Sequence, residues 1–247
     1  MKVEINRDLF IEAIQLSERM TGKNPTLPVL NCILLSAHGS SLTIRATNLD
    51  LGIEVDREAK ISQDGIIAVP AHILASTLST TSPKSTITLE VQGGNLSLDT
   101  KNSHTLIKGQ AHSDFPTLPT ITNGKSIKLK SDLVAKGIRS VWYSASTSSI
   151  KPELASIYVS GEPGKLTFAA TDSFRLAEKK LEERGLPAIE QLIIPIRNIP
   201  EIIRSLETVG GTAEILFNKN QLSITLGSVY ITSRLIDAAF PDYHQII

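Results

Sequence analysis

The chain has 247 residues, enough for one large domain or two ordinary ones with a substantial core. Hydrophobic residues make up 41% and charged residues 20%, a globular balance, and no apolar run approaches the roughly 18 residues of a membrane span. Basic and acidic residues balance at 25 each, which argues against a dedicated high-affinity DNA-binding module of the basic kind.

Val3 and Ile5 alternate as a strand, and Leu9, Ala13, Ile14, Ser17 and Met20 then fall at helical spacing. Short alternating runs at 32–36, 42–46 and 52–57 read as strands, bounded by turn signals such as His38-Gly39-Ser40. A strand at 66–69, a second helix at 71–78 and strands at 87–91, 96–99 and 105–108 follow, with Gly93-Gly94 as a hairpin turn. The pattern is strand, helix, three strands, performed twice. The second half repeats it, with helices near 132–143 and 197–208. In the latter, Ile199, Ile202, Ile203 and Leu206 form the apolar stripe while Arg197, Glu201 and Arg204 face away. The predicted fold class is α+β, with four helices on one packed face of curved antiparallel sheets.

The second half copies the first. Residues 7–53 slid forward by 124 align without a gap on 131–177, with 11 identities in 47 positions, among them Asp8/Asp132, Pro28/Pro152, Leu30/Leu154, Ala46/Ala170 and Thr47/Thr171. The register continues with small slips: Val69-Pro70 matches Ile194-Pro195 at 125, Leu96-Ser97-Leu98 matches Leu222-Ser223-Ile224 at 126, and Phe115-Pro116 matches Phe240-Pro241 at 125. Two tandem domains are expected, 1–121 and 126–247. They carry −2 and +2, from 10 basic and 12 acidic residues before position 122 and 15 and 13 after it, so neither is a basic module.

Catalytic constellations are poor. The five histidines are scattered without metal-ligand spacing, no glycine-rich phosphate loop exists, and Ser173 lacks a Gly-x-Ser-x-Gly elbow. The sequence predicts no catalytic site, no metal and no cofactor. Cys32 stands alone amid Ile33-Leu34-Leu35 and reads as a buried strand thiol. A charge at every second or third residue of the first eight gives no secretory signal, so a cytoplasmic protein without membrane contact is expected.

Two segments suggest binding. Ala170-Thr171-Asp172-Ser173-Phe174-Arg175-Leu176-Ala177 reads as a strand end bending tightly into the next strand, and its copy is Ala46-Thr47-Asn48-Leu49-Asp50-Leu51. Thr-Asx side chains bonding their own loop explain both copies structurally, but not why Phe174 and Arg175 replace Asp50 and Leu51 in the second alone. The other segment is Phe240-Pro241-Asp242-Tyr243-His244-Gln245-Ile246-Ile247, whose Phe-Pro reads as a closing of the sheet.

With Thr26-Leu27-Pro28-Val29-Leu30, Ala170-Thr171-Asp172-x-x-Arg175-Leu176-Ala177 and Phe240-Pro241-Asp242-Tyr243, in order along the whole chain, the sequence resembles the bacterial DNA sliding clamps, the beta subunits of DNA polymerase III. Family members carry three such repeats, and the match ends where the second does, so the resemblance implies the first two thirds of a clamp. It implies a ring of two chains joined head to tail, with sheets outside and helices lining a hole around double-stranded DNA. Encirclement reconciles that partner with zero net charge. The resemblance further implies weak, sequence-independent contacts. The candidates are Lys23 and Asn24 after the first helix, Ser148 on the equivalent loop, and Lys136, Arg139, Arg197 and Arg204 on the later helices. The first helix is a departure, because Asp8, Glu12 and Glu18 make it net acidic.

The resemblance also implies an apolar pocket on the second domain that takes short linear motifs of the replicative polymerase and clamp loader. The matching positions are Leu154, Thr171, Ser173, Phe174, Arg175, Leu176, Pro241, Gln245 and Ile246. Many family members have Gly-His where this chain has Ser173-Phe174, and a basic residue at Gln245, so a more apolar wall and a less charged rim are expected. Two alternatives stay open: an interaction adaptor that never encircles DNA, and a two-domain chain that closes by threes.

Overall fold

Asn6 ends strand β1 (Lys2–Asn6) and caps helix α1 (Arg7–Glu18), its side-chain oxygen accepting from the amides of Asp8 at 2.8 Å and Leu9 at 3.3 Å. The helix buries Phe10, Ala13, Ile14 and Ser17. The computed structural model describes residues 1–22 and 26–245. It separates into two compact units, Met1–Pro119 with Ser228–Tyr230, and Thr120–Gly227 with Ile231–Ile247.

Unit one continues through β2 (Cys32–His38), β3 (Ser41–Thr47), β4 (Leu51–Glu58), β5 (Lys60–Gln63), β6 (Gly65–Pro70), α2 (Ala71–Ser79), β7 (Thr86–Gln92), β8 (Asn95–Asp99) and β9 (His104–Ile107). The strands are antiparallel in the orders β5-β1-β7-β8-β9 and β4-β3-β2-β6, and α1 packs on α2. Among the described residues, strand β5 is the one strand of unit one that the sequence reading lacks. It is short, largely exposed and, among the described residues, pairs only with β1, so its burial pattern leaves little alternation to read. Gly93-Gly94 does turn the β7–β8 hairpin, and Cys32 is fully buried, its thiol pushed up to about 11 by desolvation.

Unit two comprises β10 (Lys125–Lys130), α3 (Ser131–Arg139), β11 (Ser156–Glu162), β12 (Lys165–Thr171), β13 (Leu176–Glu182), β14 (Ile189–Pro195), α4 (Ile199–Val209), β15 (Thr212–Phe217), β16 (Gln221–Leu226) and β17 (Val229–Arg234). Its orders are β10-β15-β16-β17 and β13-β12-β11-β14, with α3 on α4. The duplication holds to the individual strand pair. Cys32↔Pro70 recurs as Ser156↔Pro195, Leu34↔Arg45 as Tyr158↔Ala169, and Lys2↔Glu90 as Ser126↔Leu216. A slip of one residue would turn each buried face to solvent, so shared register means shared inward positions.

Both later helices depart from their expected ends. α3 stops at Arg139, where the Ser140 hydroxyl donates to the Lys136 carbonyl at 2.8 Å, and a 3-10 turn, Trp142–Ser144, takes the residues expected to be helical. α4 starts at Ile199, its first turn set by Pro200, so Arg197 lies in the preceding 3-10 turn, Ile196–Asn198, rather than on the helix.

Candidate functional site

The Thr-Asx bend is the same object twice. Thr171 ends β12, and its hydroxyl donates to the Arg175 carbonyl at 2.7 Å while accepting from the Ser173 amide at 3.1 Å. Asp172 Oδ1 accepts from the amides of Phe174 at 2.9 Å and Arg175 at 2.8 Å. In unit one Thr47 bonds the Leu51 carbonyl at 2.9 Å and the Leu49 amide at 3.0 Å, and Asn48 takes the amides of Asp50 at 3.0 Å and Leu51 at 2.8 Å. The third residue, Leu49 or Ser173, has φ 78° in both, a left-handed conformation sustained by these bonds.

What differs lies on top of this frame. Arg175 Nε and Nη2 reach Asp172 Oδ2 at 3.0 and 2.8 Å, a fork that Leu51 cannot make. The amides of Arg175 and Phe174, and then the guanidinium, pull the Asp172 carboxyl down to about 2. Phe174 stands 96% exposed, on a rigid turn that gives its ring nothing to cover.

Below the bend, Leu176 packs on a cluster of Ala169, Ile193, Phe240 and Tyr243, with Tyr158 and Ile236 against it. Tyr158 stacks on Phe240 at 4.9 Å, and Tyr243 meets both rings edge-on. The Tyr243 hydroxyl donates to Glu178 at 2.9 Å, and burial followed by that carboxylate pushes the phenol up. Phe115 takes the same seat in unit one, against Val29, Cys32, Leu34 and Ala68, so Phe-Pro closes the sheet in both copies.

The structure thus gathers Thr171, Ser173, Phe174, Arg175 and Leu176 at one bend over the aromatic cluster, with exposed Pro241 following Phe240. Leu154 is buried ahead of β11, its carbonyl accepting from Ser146 at 2.9 Å, the counterpart of the Gly22–Leu30 bond. Gln245 donates to Asp242 at 2.9 Å. Among the described residues neither bonds the bend, and Ile246 lies outside them. The sequence reading missed Tyr158, visible only as an aromatic in a strand. It also missed the exposed Tyr143 and Ile150 around the Ser148 loop.

The basic candidates are less free than the sequence suggests. Lys136 is exposed on α3. Arg139, one turn on, gives Nε and Nη2 to the two oxygens of Glu207 on α4 at 2.6 and 2.7 Å. Arg204 pairs with Glu201 at 3.7 Å, and Arg197 is exposed in its 3-10 turn. Asp132, Ala135, Lys136, Arg139, Ser140 and Glu207 line a shallow concavity of about 350 Å³. The Ser148 hydroxyl accepts from the Ile150 amide at 3.4 Å, and Lys23 and Asn24 lie outside the described residues. The acids of α1 are partly paired within unit one: Asp8 with Arg7, and Glu12 with Arg57, both at 3.1 Å. Among the described residues no group of three or more His, Cys, Asp or Glu could hold a metal, and no helix is long and apolar enough to cross a membrane.

Comparison with known proteins agrees with the two-unit fold. Residues 1–119 match the family described as DNA polymerase III beta subunit, N-terminal domain, and residues 128–242 match its central domain. The beta sliding clamp of Synechocystis sp. is 30% identical over 270 residues, covering all of this chain and 69% of that protein. The clamp of Synechococcus elongatus is 28% identical, covering all of this chain and 68% of that protein. The crystal structure of the DNA polymerase sliding clamp from Caulobacter crescentus superimposes with a TM-score of 0.93 at 28% identity, over all of this chain and 68% of that one.

Proposed function

The chain belongs to the beta-subunit family of DNA polymerase III, the bacterial sliding clamps, and from that premise we propose that the bend of unit two is where partner proteins dock on a non-catalytic processivity factor. A sliding clamp tethers a polymerase to DNA, and the tether needs a handle that exchanges partners. One observation carries the reading: two bends with the same hydrogen bonds differ only in what they display, and the second alone displays Phe174 and the Arg175–Asp172 fork.

Leu176, Pro241 and Phe174 offer apolar surface to a leucine or phenylalanine of a short linear motif, and Thr171, Ser173 and Arg175 offer polar groups to its backbone. Leu154 and the Gln245–Ile246 end complete the set. Burying one such anchor contributes about 1.5–3 kcal/mol, which suits micromolar, exchangeable binding. The α3/α4 face, with Lys136, Arg139, Arg204 and the neighbouring Arg197 and Ser148, is the side turned to encircled double-stranded DNA, as are Lys23 and Asn24 of unit one. Self-association into a ring, and the clamp loader as a further motif-bearing partner, belong to the same reading. Calorimetric titration of a peptide with a Gln-x-x-Leu-type motif into wild type and Leu176→Asp tests it. We expect micromolar binding lost in the variant. Equal affinities would remove the bend from the docking site.

A further inference from the structure

Arginine is the side chain best shaped to grip a phosphate, because its planar fork gives two parallel hydrogen bonds to two oxygens. On the α3/α4 face that fork is already filled. Both oxygens of Glu207 are engaged by Arg139, at 2.6 and 2.7 Å, and the two residues come from different helices, 68 positions apart. Each stabilises the charge of the other: the hydrogen bond from Arg139 holds the Glu207 carboxyl below its ordinary range, and the same bond raises Arg139.

Neither residue has a charged counterpart in unit one. At an offset of 124, the unit-one counterpart of Arg139 is Gln15, and the counterpart of Glu207 is Thr81 at an offset of 126 or Ser82 at an offset of 125, both uncharged. Where the arginine is missing, so is the acid. The pair is absent from the unit whose first helix is net acidic and present in the unit whose helices carry the cations. Lys136 in the same concavity keeps its ammonium without an ion-pair partner among the described residues, and Arg204 is held more loosely by Glu201, at 3.7 Å.

We propose that Glu207 is a built-in competitor for phosphate: it occupies the Arg139 fork, so that the α3/α4 face meets DNA with its strongest phosphate-binding group withheld. The proposal rests on the reading that this face is turned to DNA, and it supplies a regulation of that contact. An exposed pair exchanges readily, so Glu207 limits grip without blocking it. Each phosphate neutralised adds about 0.9 to the slope of log affinity against log salt, so withholding Arg139 keeps binding weak and the clamp free to move.

The test is the affinity of the 247-residue chain for a short linear duplex across a salt series, read by fluorescence anisotropy. Glu207→Gln should steepen the slope by about 0.9, the release of one phosphate-binding group. Asp132→Asn removes a carboxylate from the same concavity that makes no ion pair among the described residues, and it should leave the slope as in wild type. Arg139→Gln with Glu207→Gln should lose the gain, bringing the slope back to the wild-type value or below it, because the effect of E207Q runs through Arg139. Thermal melts of each variant establish that the helices are intact. The proposal is overturned if E207Q and D132N act alike, or if the E207Q effect survives without Arg139. A wild type with salt-dependent binding and an inert E207Q overturns the proposal and leaves the DNA-facing reading standing. No salt-dependent binding by any variant overturns both.

Discussion

Gly137 on α3 faces the ring of Phe168, which would lie 2.3–2.7 Å from any added Cβ. At an offset of 124 the same two positions in unit one are Ala13 and Ile44, both fully buried. The pairs exchange volume, a larger strand residue against a smaller helix residue, so the core stays filled either way. Gly137→Ala therefore gains helix propensity of about 1 kcal/mol but meets an overpacking cost of about 1–3 kcal/mol. The contact is so short that we expect the cost to win. Adding Phe168→Ile should recover stability, because it rebuilds the unit-one pair. Urea unfolding of the single and double variants checks this, and a G137A protein as stable as wild type would contradict it. Asp172 gives a pH signature at the same scale. Its folded pKa is depressed to about 2, so its stabilisation is complete above the ordinary value of about 3.9 and fades as pH falls toward the folded value. Wild type should melt above Asp172→Asn at neutral pH, with the gap closing between about pH 4 and pH 2. A gap that persists unchanged to pH 2 would show that the charge plays no part.

At the scale of elements, the sequence carries what is periodic and loses what is relational. Strand alternation and helical spacing are local, so β1, α1, the hairpin at Gly93-Gly94 and α2 stand where their patterns put them. The Thr-Asx bend was readable for the same reason, since its hydrogen bonds run within five residues. The end of α3 was not. Trp142 and Tyr143 continue an apolar pattern, but the Ser140 side chain closes the last turn first. The Arg139–Glu207 pair was beyond reach, because Arg139 and Glu207 lie on helices that meet only after folding, and a periodic reading sees each as a solvated charge. The aromatic seat of Phe240 likewise joins residues from β11, β13 and the chain beyond β17. The candidate site was thus legible as a bend but not as the surface under it.

For the whole molecule, duplication supplies the control that a single domain lacks. Unit one builds the bend with Asp50-Leu51 and unit two with Phe174-Arg175, on frames that agree bond for bond. Whatever separates the two is display rather than architecture, and a processivity factor needs few displayed surfaces: a loose one toward DNA and an exchangeable one toward its partners. The most direct measurement is therefore to give unit two the display of unit one. In Phe174→Asp with Arg175→Leu the turn should form as it does at Thr47–Leu51, so the melting temperature should stay close to wild type. Calorimetric titration with the Gln-x-x-Leu-type peptide should then show at least a tenfold loss of affinity, about 1.4 kcal/mol. A double variant that folds and binds the peptide as tightly as wild type would contradict the account.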